Sequence, residues 1–122
     1  MATVLLVEDN QANQRLIRML LESMGHGVTC AFTGEEGWAL LAGRRFDAIL
    51  LDMHLPGLDG FTLARKVKAL YGQEVKVIAV TALAMESDRE KALSSGCDDY
   101  ITKPISVPEF RAKMESLLEG KQ

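Results

Sequence analysis

The sequence predicts an α/β domain in which helices cover both faces of a parallel sheet. Five short apolar runs alternate with five amphipathic patterns along the 122 residues, and this alternation is typical of parallel strands joined by right-handed crossovers. One run, Ala48–Leu51, is apolar without interruption, as expected of a strand that is buried on both faces. Because 122 residues is the length of one domain, we expect residues 1–122 to form a single unit.

The composition excludes several classes of protein. Hydrophobic residues make up 48% and charged residues 25%, and the formal net charge of −3 offers no basic surface for nucleic acid. No apolar run approaches the roughly 18 residues of a membrane span, and the acidic N-terminal stretch lacks the basic region of a signal peptide. Cys30 and Cys97 have no CxxC spacing, so we expect free thiols in a reducing cytoplasm. The sequence predicts a cytoplasmic protein that binds neither nucleic acid nor membrane directly.

The first three elements have clear boundaries. The predicted strand Thr3–Val7 is followed by a helix over Asn10–Met24, with Asn10 at its start and Gly25 beyond its end. Apolar residues recur in this helix at helical spacing, among them Leu16 and Ile17. The stretch His26–Phe32 alternates more than the other runs, which predicts an edge strand with one wetter side.

The middle of the chain contains the central strand. Thr33 and Glu36 form a capping-box pattern that opens the second helix, and we expect Gly43 to stop it. The strand Ala48–Leu51 then leads directly into Asp52. A third helix is predicted from residue 58 to residue 70, with Gly72 beyond it.

The last units are shorter. We predict a strand over Val75–Val80, a helix capped by Ser87, and a weaker strand over Cys97–Thr102. Ser106 is the expected cap of the last helix, whose first turn accepts a proline because the missing N–H has no partner there. The apolar stripe of this helix is Phe110, Met114, Leu117 and Leu118.

Polar residues with related chemistry follow four of the five strands. The natural order for five such units is the flavodoxin-like one, 2-1-3-4-5, in which ligands bind at the carboxyl edge near the switch point. The first strand ends in Glu8-Asp9, the third in Asp52, the fourth in Thr81 and the fifth in Lys103. The second strand, which lies at one side of the sheet, ends in Phe32-Thr33 and carries no charge there. The sequence therefore predicts one site at the carboxyl edge of the other strands.

Three carboxylates at one edge need a cation, since like charges in a shared site force one group to take a proton. Mg²⁺ suits a site between these carboxylates because it accepts carboxylate oxygens as ligands, keeps several waters and binds phosphate. We expect Asp9 and Asp52 to ligate the metal directly, Glu8 to ligate it through water, and the Met53 backbone carbonyl to complete the set. Mn²⁺ is an expected substitute.

The residue types point to phosphoryl transfer. A carboxylate nucleophile forms an acyl phosphate, and the reaction depends chiefly on positioning and on charge stabilisation. We predict that Asp52 accepts the phosphoryl group, that Lys103 supplies a cation to its oxygens, and that the Thr81 hydroxyl supplies a hydrogen bond.

These residues resemble a known family. Glu8-Asp9, Asp52, Thr81, Tyr100 and Lys103-Pro104 are similar to the pattern of response-regulator receiver domains, the CheY-like proteins of two-component signalling. The resemblance covers essentially the whole chain. The stretches 81–85 and 96–105 are closest in pattern to DivK-type single-domain regulators and to receivers of hybrid kinases and phosphorelays.

The resemblance implies a mechanism. A phosphohistidine on a histidine kinase or histidine phosphotransfer protein would donate to Asp52, Thr81 would move toward the phosphate, and Tyr100 would turn inward. The surface of the fourth helix, fifth strand and fifth helix would then change its preference for a downstream protein, as a monomer or a weak phosphorylation-dependent dimer. The family also implies a cis Lys103-Pro104 bond and an influence of His54, with Leu83, on acyl-phosphate hydrolysis.

Other interpretations stay open at this stage. Each of these residues also has an ordinary structural explanation when it is considered alone. An acidic pair such as Glu8-Asp9 is more often a helix cap, and Thr81 is more often a turn hydroxyl. Lys103 would be a surface charge, Tyr100 a core residue and His54 an exposed loop residue. A flavodoxin-like carrier would share the fold, but acidic residues after the first strand would repel a flavin phosphate. A small Mg²⁺-dependent phosphatase usually carries a further acid two residues beyond its nucleophile, where this chain has His54. A receiver that acts without phosphorylation is a third alternative.

Within the receiver interpretation, we expect no turnover beyond self-phosphorylation from a donor and slow autodephosphorylation. The chain is expected to be free-standing, and the alternative is a receiver excised from a hybrid kinase or a longer regulator.

Overall fold

The structure, a computed structural model, describes residues 2–55, 57–82 and 86–118, and of Glu86 and Asp88 the backbone only. Within these residues the sheet has five parallel strands in the order β2-β1-β3-β4-β5, so the predicted flavodoxin-like topology is confirmed. The strands are β1 (Thr3–Val7), β2 (Gly27–Ala31), β3 (Ala48–Asp52), β4 (Lys76–Thr81) and β5 (Asp99–Thr102).

In the described ranges, five helices alternate with the strands. They are α1 (Gln11–Ser23), α2 (Gly34–Gly43), α3 (Gly60–Tyr71), α4 (Glu86–Ser94) and α5 (Val107–Leu117), and a single 3₁₀ turn over Gly72–Glu74 follows α3. The predicted caps at Asn10 and Thr33 are confirmed, since each side chain accepts a hydrogen bond from the N–H three residues later. Asp59 caps α3 in the same way.

Each strand distributes its side chains between two hydrophobic cores because successive residues point to opposite faces. On one face, Leu5 and Val7 of β1 belong to the core that includes side chains of α2, α3 and α4. On the other face, Val4 and Leu6 belong to the core of α1 and α5. Every residue of β3 is buried, as its uninterrupted apolar run predicted.

Some sequence predictions were wrong in detail. Ser87 lies inside α4, which begins at Glu86. Ser106 occupies the predicted N-cap position of α5, but its side chain makes no capping hydrogen bond. The predicted end of α2 at Gly43 is confirmed, with the extended residue Arg44 directly beyond it. In α1, Leu16 is 39% exposed whereas Gln14 is only 9% exposed, so a polar side chain replaces an apolar one on the inner face.

Helix α2 touches the loop that follows β3 at backbone distance. A Cβ atom added to Gly34 would collide with the Leu58 carbonyl oxygen, so only glycine fits this contact. One residue further, the Glu35 carboxylate accepts a hydrogen bond from the Leu58 N–H, with 3.1 Å between Oε2 and N. The first turn of α2 and this loop are therefore joined by a direct approach and by a hydrogen bond.

None of the helices in the described ranges has the length and hydrophobicity that crossing a bilayer requires. Both cysteines are free thiols: Cys97 is buried and Cys30 is half-buried.

Candidate functional site

The carboxyl ends of β1 and β3 form an acidic cluster. Val7 lies opposite Leu51 in the register of these neighbouring strands, so the residues that follow them emerge side by side. Glu8, Asp9 and Asp52 each offer a carboxylate oxygen, and these oxygens all lie within 4.8 Å of one another. Glu8 is 1% exposed and Asp52 is 6% exposed, whereas Asp9 is exposed. The sequence predicted this convergence.

Lys103 reaches the cluster from the end of β5. Its Nζ lies 2.7 Å from Oε1 of Glu8 and 3.3 Å from Oδ2 of Asp52. Its backbone N–H donates to the Thr81 carbonyl, which fixes the loop against the end of β4. The Lys103-Pro104 bond is cis, as the resemblance implied.

The ionisable groups of the cluster differ in how their surroundings shift their pKa values. Burial raises the pKa of Glu8 from 4.5 to about 7 against the opposing effect of Lys103. Burial would also raise the pKa of Asp52, but the His54 N–H, Glu8 and Lys103 together bring it below its ordinary value. Burial likewise opposes the charge on Lys103, and Glu8 and Asp52 nevertheless raise its pKa. At neutral pH Asp52 is therefore an anion beside a cation.

The loop after β3 holds Asp52 through backbone groups. Its Oδ1 accepts a hydrogen bond from the His54 N–H at 3.0 Å, and the Met53 N–H donates to the Val80 carbonyl at 3.1 Å. A Cβ atom on Gly60 would lie 2.5 Å from the Asp52 carbonyl oxygen, so the start of α3 packs directly on the strand end. The Met53 side chain is buried, and its carbonyl stays a predicted metal ligand.

The His54 side chain is exposed and packs against a neighbouring ring. Its imidazole meets the Phe61 ring edge to face, with 6.2 Å between centroids. The contact of His54 with Asp52 is made through its backbone N–H. The second residue of the predicted hydrolysis-tuning pair, Leu83, lies outside the described residues.

Thr81 and Tyr100 occupy different positions relative to the cluster. Thr81 is the last residue of β4, 5% exposed, and lies between the ends of β3 and β5. Tyr100 is half-buried in β5, with the Arg89 guanidinium 5.3 Å and the Lys113 ammonium 4.7 Å from its ring centroid. Tyr100 thereby connects α4, β5 and α5.

Sequence reasoning missed Gln14. Its side-chain amide donates to the carbonyl oxygens of Glu8 and Ala31, each at 3.2 Å. Its polarity predicts a solvent-facing residue, but it lies three residues before Ile17 and seven before Leu21, on the face of α1 that is buried. That spacing is the signal that could have identified it.

The cluster fits a divalent cation. Above the pKa of Glu8, about 7, the three carboxylates and the one ammonium leave two negative charges, which is the charge that Mg²⁺ neutralises. All the side-chain donors are oxygens, and oxygen is the ligand that Mg²⁺ prefers.

Comparison with known proteins gives a consistent result. The family described as the response regulator receiver domain matches residues 4–115. The chain is 39% identical over 117 residues to the polar-differentiation response regulator DivK of Brucella anthropi, covering 95% of each protein.

Solved structures agree with this relationship. The receiver domain of sensor histidine kinase PA1611 from Pseudomonas aeruginosa, solved with a magnesium ion coordinated in its active site cleft, is 37% identical with a TM-score of 0.85, covering 96% of this chain and 97% of that one. The receiver domain of Ssk1 from Saccharomyces cerevisiae, solved with the histidine phosphotransfer protein Ypd1, is 29% identical with a TM-score of 0.87, covering 94% and 87%.

The fold, the acidic strand ends and the match over nearly the whole chain lead to one conclusion: this chain belongs to the response regulator receiver family of two-component signalling.

Proposed function

We propose that Asp52 accepts a phosphoryl group from a phosphohistidine of a histidine kinase or a histidine phosphotransfer protein, in a reaction that requires Mg²⁺. The observation that carries this proposal is the ionised Asp52 carboxylate, held between the Lys103 ammonium and the His54 N–H within an acidic cluster. An ionised carboxylate is the nucleophilic form of the side chain, and a nearby cation attracts the phosphoryl oxygens.

The transfer exchanges one bond for another. An oxygen of Asp52 forms a bond to phosphorus while the bond from phosphorus to the donor's imidazole nitrogen breaks, and its electron pair stays on that nitrogen. Lys103, already within 3.3 Å of Asp52, then interacts with the transferred group. Thr81, at the adjacent strand end, donates its hydroxyl to a phosphoryl oxygen. Asp9, Asp52, the Met53 carbonyl and, through water, Glu8 would hold the metal, which would supply positive charge to offset repulsion between donor and cluster.

The output of the reaction is a change of partner at the surface of α4, β5 and α5. Tyr100 supports this proposal because its ring contacts Arg89 of α4 and Lys113 of α5, and its carbonyl accepts a hydrogen bond from Lys113 at 2.6 Å. A new charge on Asp52 draws Thr81 toward it, and Tyr100 follows inward. The two cation–π contacts on Tyr100 are then lost, which alters all three elements at once.

The remaining parts of the proposal follow from the same assignment. Residues 1–122 act as one cytoplasmic receiver domain, as a monomer or weak dimer, with a protein target and without direct contact with nucleic acid or membrane. The chain is labelled once and loses its label slowly, and it does not turn over a substrate. A flavin carrier and a phosphatase both fit the sequence less well than the receiver family that matches residues 4–115.

The test is labelling with acetyl phosphate and Mg²⁺, followed by intact mass. We expect one phosphoryl group per chain, no label with EDTA, and no label on Asp52→Asn. The matched control is Asp59→Asn, which makes the same chemical change at a helix cap where Asn serves as well as Asp. Label on Asp52→Asn, or repeated turnover of a generic phosphate ester by the unmodified protein, would contradict the proposal.

A further inference from the structure

The side chain of Gln14 joins the two strand ends beside the acidic cluster. It lies in the fourth position of α1 and is 9% exposed, which is unusual for an amide on an otherwise amphipathic helix. Its Nε2 donates to the Glu8 carbonyl and to the Ala31 carbonyl, each at 3.2 Å. Both hydrogens of the amide nitrogen are therefore committed to the carboxyl ends of β1 and β2.

These two hydrogen bonds act on the backbone of the cluster. The Glu8 carbonyl belongs to the peptide unit that ends at the Cα of Asp9, and this unit is planar. Fixing the direction of that carbonyl therefore fixes the position from which the Asp9 side chain starts. The Glu8 N–H also donates to the Ala31 carbonyl, at 3.1 Å, so Gln14 completes a closed set of bonds between the two strand ends.

Asp9 needs this support more than its neighbours do. Glu8 and Asp52 are buried and are held by Lys103. Asp9 is exposed, so packing contributes little to its position and the backbone has to determine it. A carboxylate that is placed in advance binds a cation more tightly than one that must be ordered on binding.

We propose that Gln14 is a positioning residue for the cation site, which acts by holding the Glu8–Asp9 peptide so that Asp9 faces Asp52. This inference rests on the proposed function, since it assumes that the acidic cluster binds Mg²⁺. Loss of partners that orient metal ligands typically weakens metal affinity about 10–100-fold. Because Gln14 acts on Asp9 only through the backbone, we expect a loss of metal affinity at the lower end of this range, about tenfold.

The experiment compares Gln14→Met with Gln11→Met. Methionine matches glutamine in length but donates no hydrogen bond, and Gln11 is an exposed residue of the same helix. Mg²⁺ binding is measured by calorimetry on the full chain, and the rate of labelling by acetyl phosphate is measured over a range of Mg²⁺ concentrations. We expect Kd for Mg²⁺ to rise about tenfold in Gln14→Met, to stay unchanged in Gln11→Met, and the labelling rate at saturating Mg²⁺ to return close to that of the unmodified protein.

The possible outcomes separate the two proposals. An unchanged Kd in Gln14→Met, or a labelling rate that stays low at saturating Mg²⁺, would overturn the role of Gln14 and leave the phosphorylation of Asp52 intact. Failure of the unmodified protein to bind Mg²⁺ would remove the proposed function and this inference together.

A measurement on the unmodified protein covers the case in which Gln14→Met does not fold. The Gln14 side-chain amide protons should exchange slowly with water and should shift during a Mg²⁺ titration with the midpoint found by calorimetry. Exchange at the rate of a free amide, with no response to Mg²⁺, would overturn the role of Gln14.

Discussion

Replacing Lys103 by methionine tests the electrostatics of the site without any phosphodonor. The substitution removes the ammonium that lies 2.7 Å from Glu8 and 3.3 Å from Asp52 and leaves an apolar chain of similar length. Two carboxylates then share a buried site without a cation. Breaking a buried ion pair by removing one partner is strongly destabilising, because the remaining charge has lost its solvent and its counter-ion.

The magnitude follows from burial. Such losses are about 3–5 kcal/mol for fully buried pairs, and the partial exposure of the side chains, 16% for Lys103 and 8% for Asp52, places this one at the lower end. We expect a loss of about 3 kcal/mol in the free energy of unfolding at pH 8 with EDTA, which for a domain of this size lowers Tm by roughly 10 °C.

The decrease in the free energy of unfolding caused by Lys103→Met should be smaller at pH 6 than at pH 8. Glu8 has its pKa raised to about 7 from 4.5, mainly by burial, so the folded state binds more protons than the unfolded state between these values. Its protonation therefore contributes stability that is fully present below the unfolded pKa and is lost as pH rises through the folded pKa. At pH 6 Glu8 is largely protonated in both proteins, so the substitution leaves only Asp52 without its counter-charge. At pH 8 the parent has Glu8 ionised beside Lys103, and the variant must either protonate Glu8, whose pKa rises further without that neighbour, or bury a second unpaired charge.

The assay is urea denaturation with EDTA or with Mg²⁺ at both pH values. Saturating Mg²⁺ supplies the missing charge and adds about 2.7 kcal/mol at roughly one hundred times Kd, so it should restore most of the stability of Lys103→Met. The matched control is Lys66→Met, at an exposed position of α3. Its ammonium lies over the Trp38 ring at 5.0 Å, and because such an exposed contact contributes only about 0.5–1 kcal/mol, this variant should unfold close to the parent protein. Equal urea midpoints for Lys103→Met and the parent at pH 8 in EDTA would refute this account of the cluster.

Two further predictions concern packing. Gly34→Ala should lower the free energy of unfolding by about 1–3 kcal/mol because its methyl group meets the Leu58 carbonyl, whereas Gly43→Ala, with nothing within 4 Å, should raise it by about 0.4–1 kcal/mol; equal urea midpoints would contradict both. Burial raises the pKa of the Cys97 thiol to about 12, so in the folded protein Cys97 should resist alkylation at pH 8 and react only in urea. Mass spectrometry of the alkylated peptides, with half-buried Cys30 as the internal comparison, checks this.

The sequence was informative wherever one residue type has one physical explanation. The uninterrupted run before Asp52 predicted a fully buried central strand, and the capping pattern at Thr33 predicted the start of α2, because both depend on local chemistry. The convergence of Glu8, Asp9, Asp52 and Lys103 followed from strand order alone, since parallel strands present their carboxyl ends at one edge.

The sequence predictions were wrong where tertiary packing determines which side chains are buried and where a strand begins. Leu16 is apolar and lies four residues before the buried Leu20, but it is 39% exposed. Gln14 is polar, yet it lies three residues before Ile17 on the buried face of α1. The reason is that two carbonyl groups at the strand ends need a hydrogen-bond donor from α1. The spacing of apolar residues in the sequence does not reveal that need. Similarly, β5 begins at Asp99 and not at Cys97, because the Val77 N–H takes the Asp98 carboxylate as its partner and the ladder starts only beyond it.

The contact between Gly34 and the Leu58 carbonyl has a mechanical consequence. No additional carbon fits between these backbones, and Glu35 is hydrogen-bonded to Leu58. The loop after Asp52 and the first turn of α2 therefore have to move together. A shift of that loop after modification would therefore be carried to the side of the molecule opposite α5. Distance measurements between spin labels on α2 and α3 would register that motion.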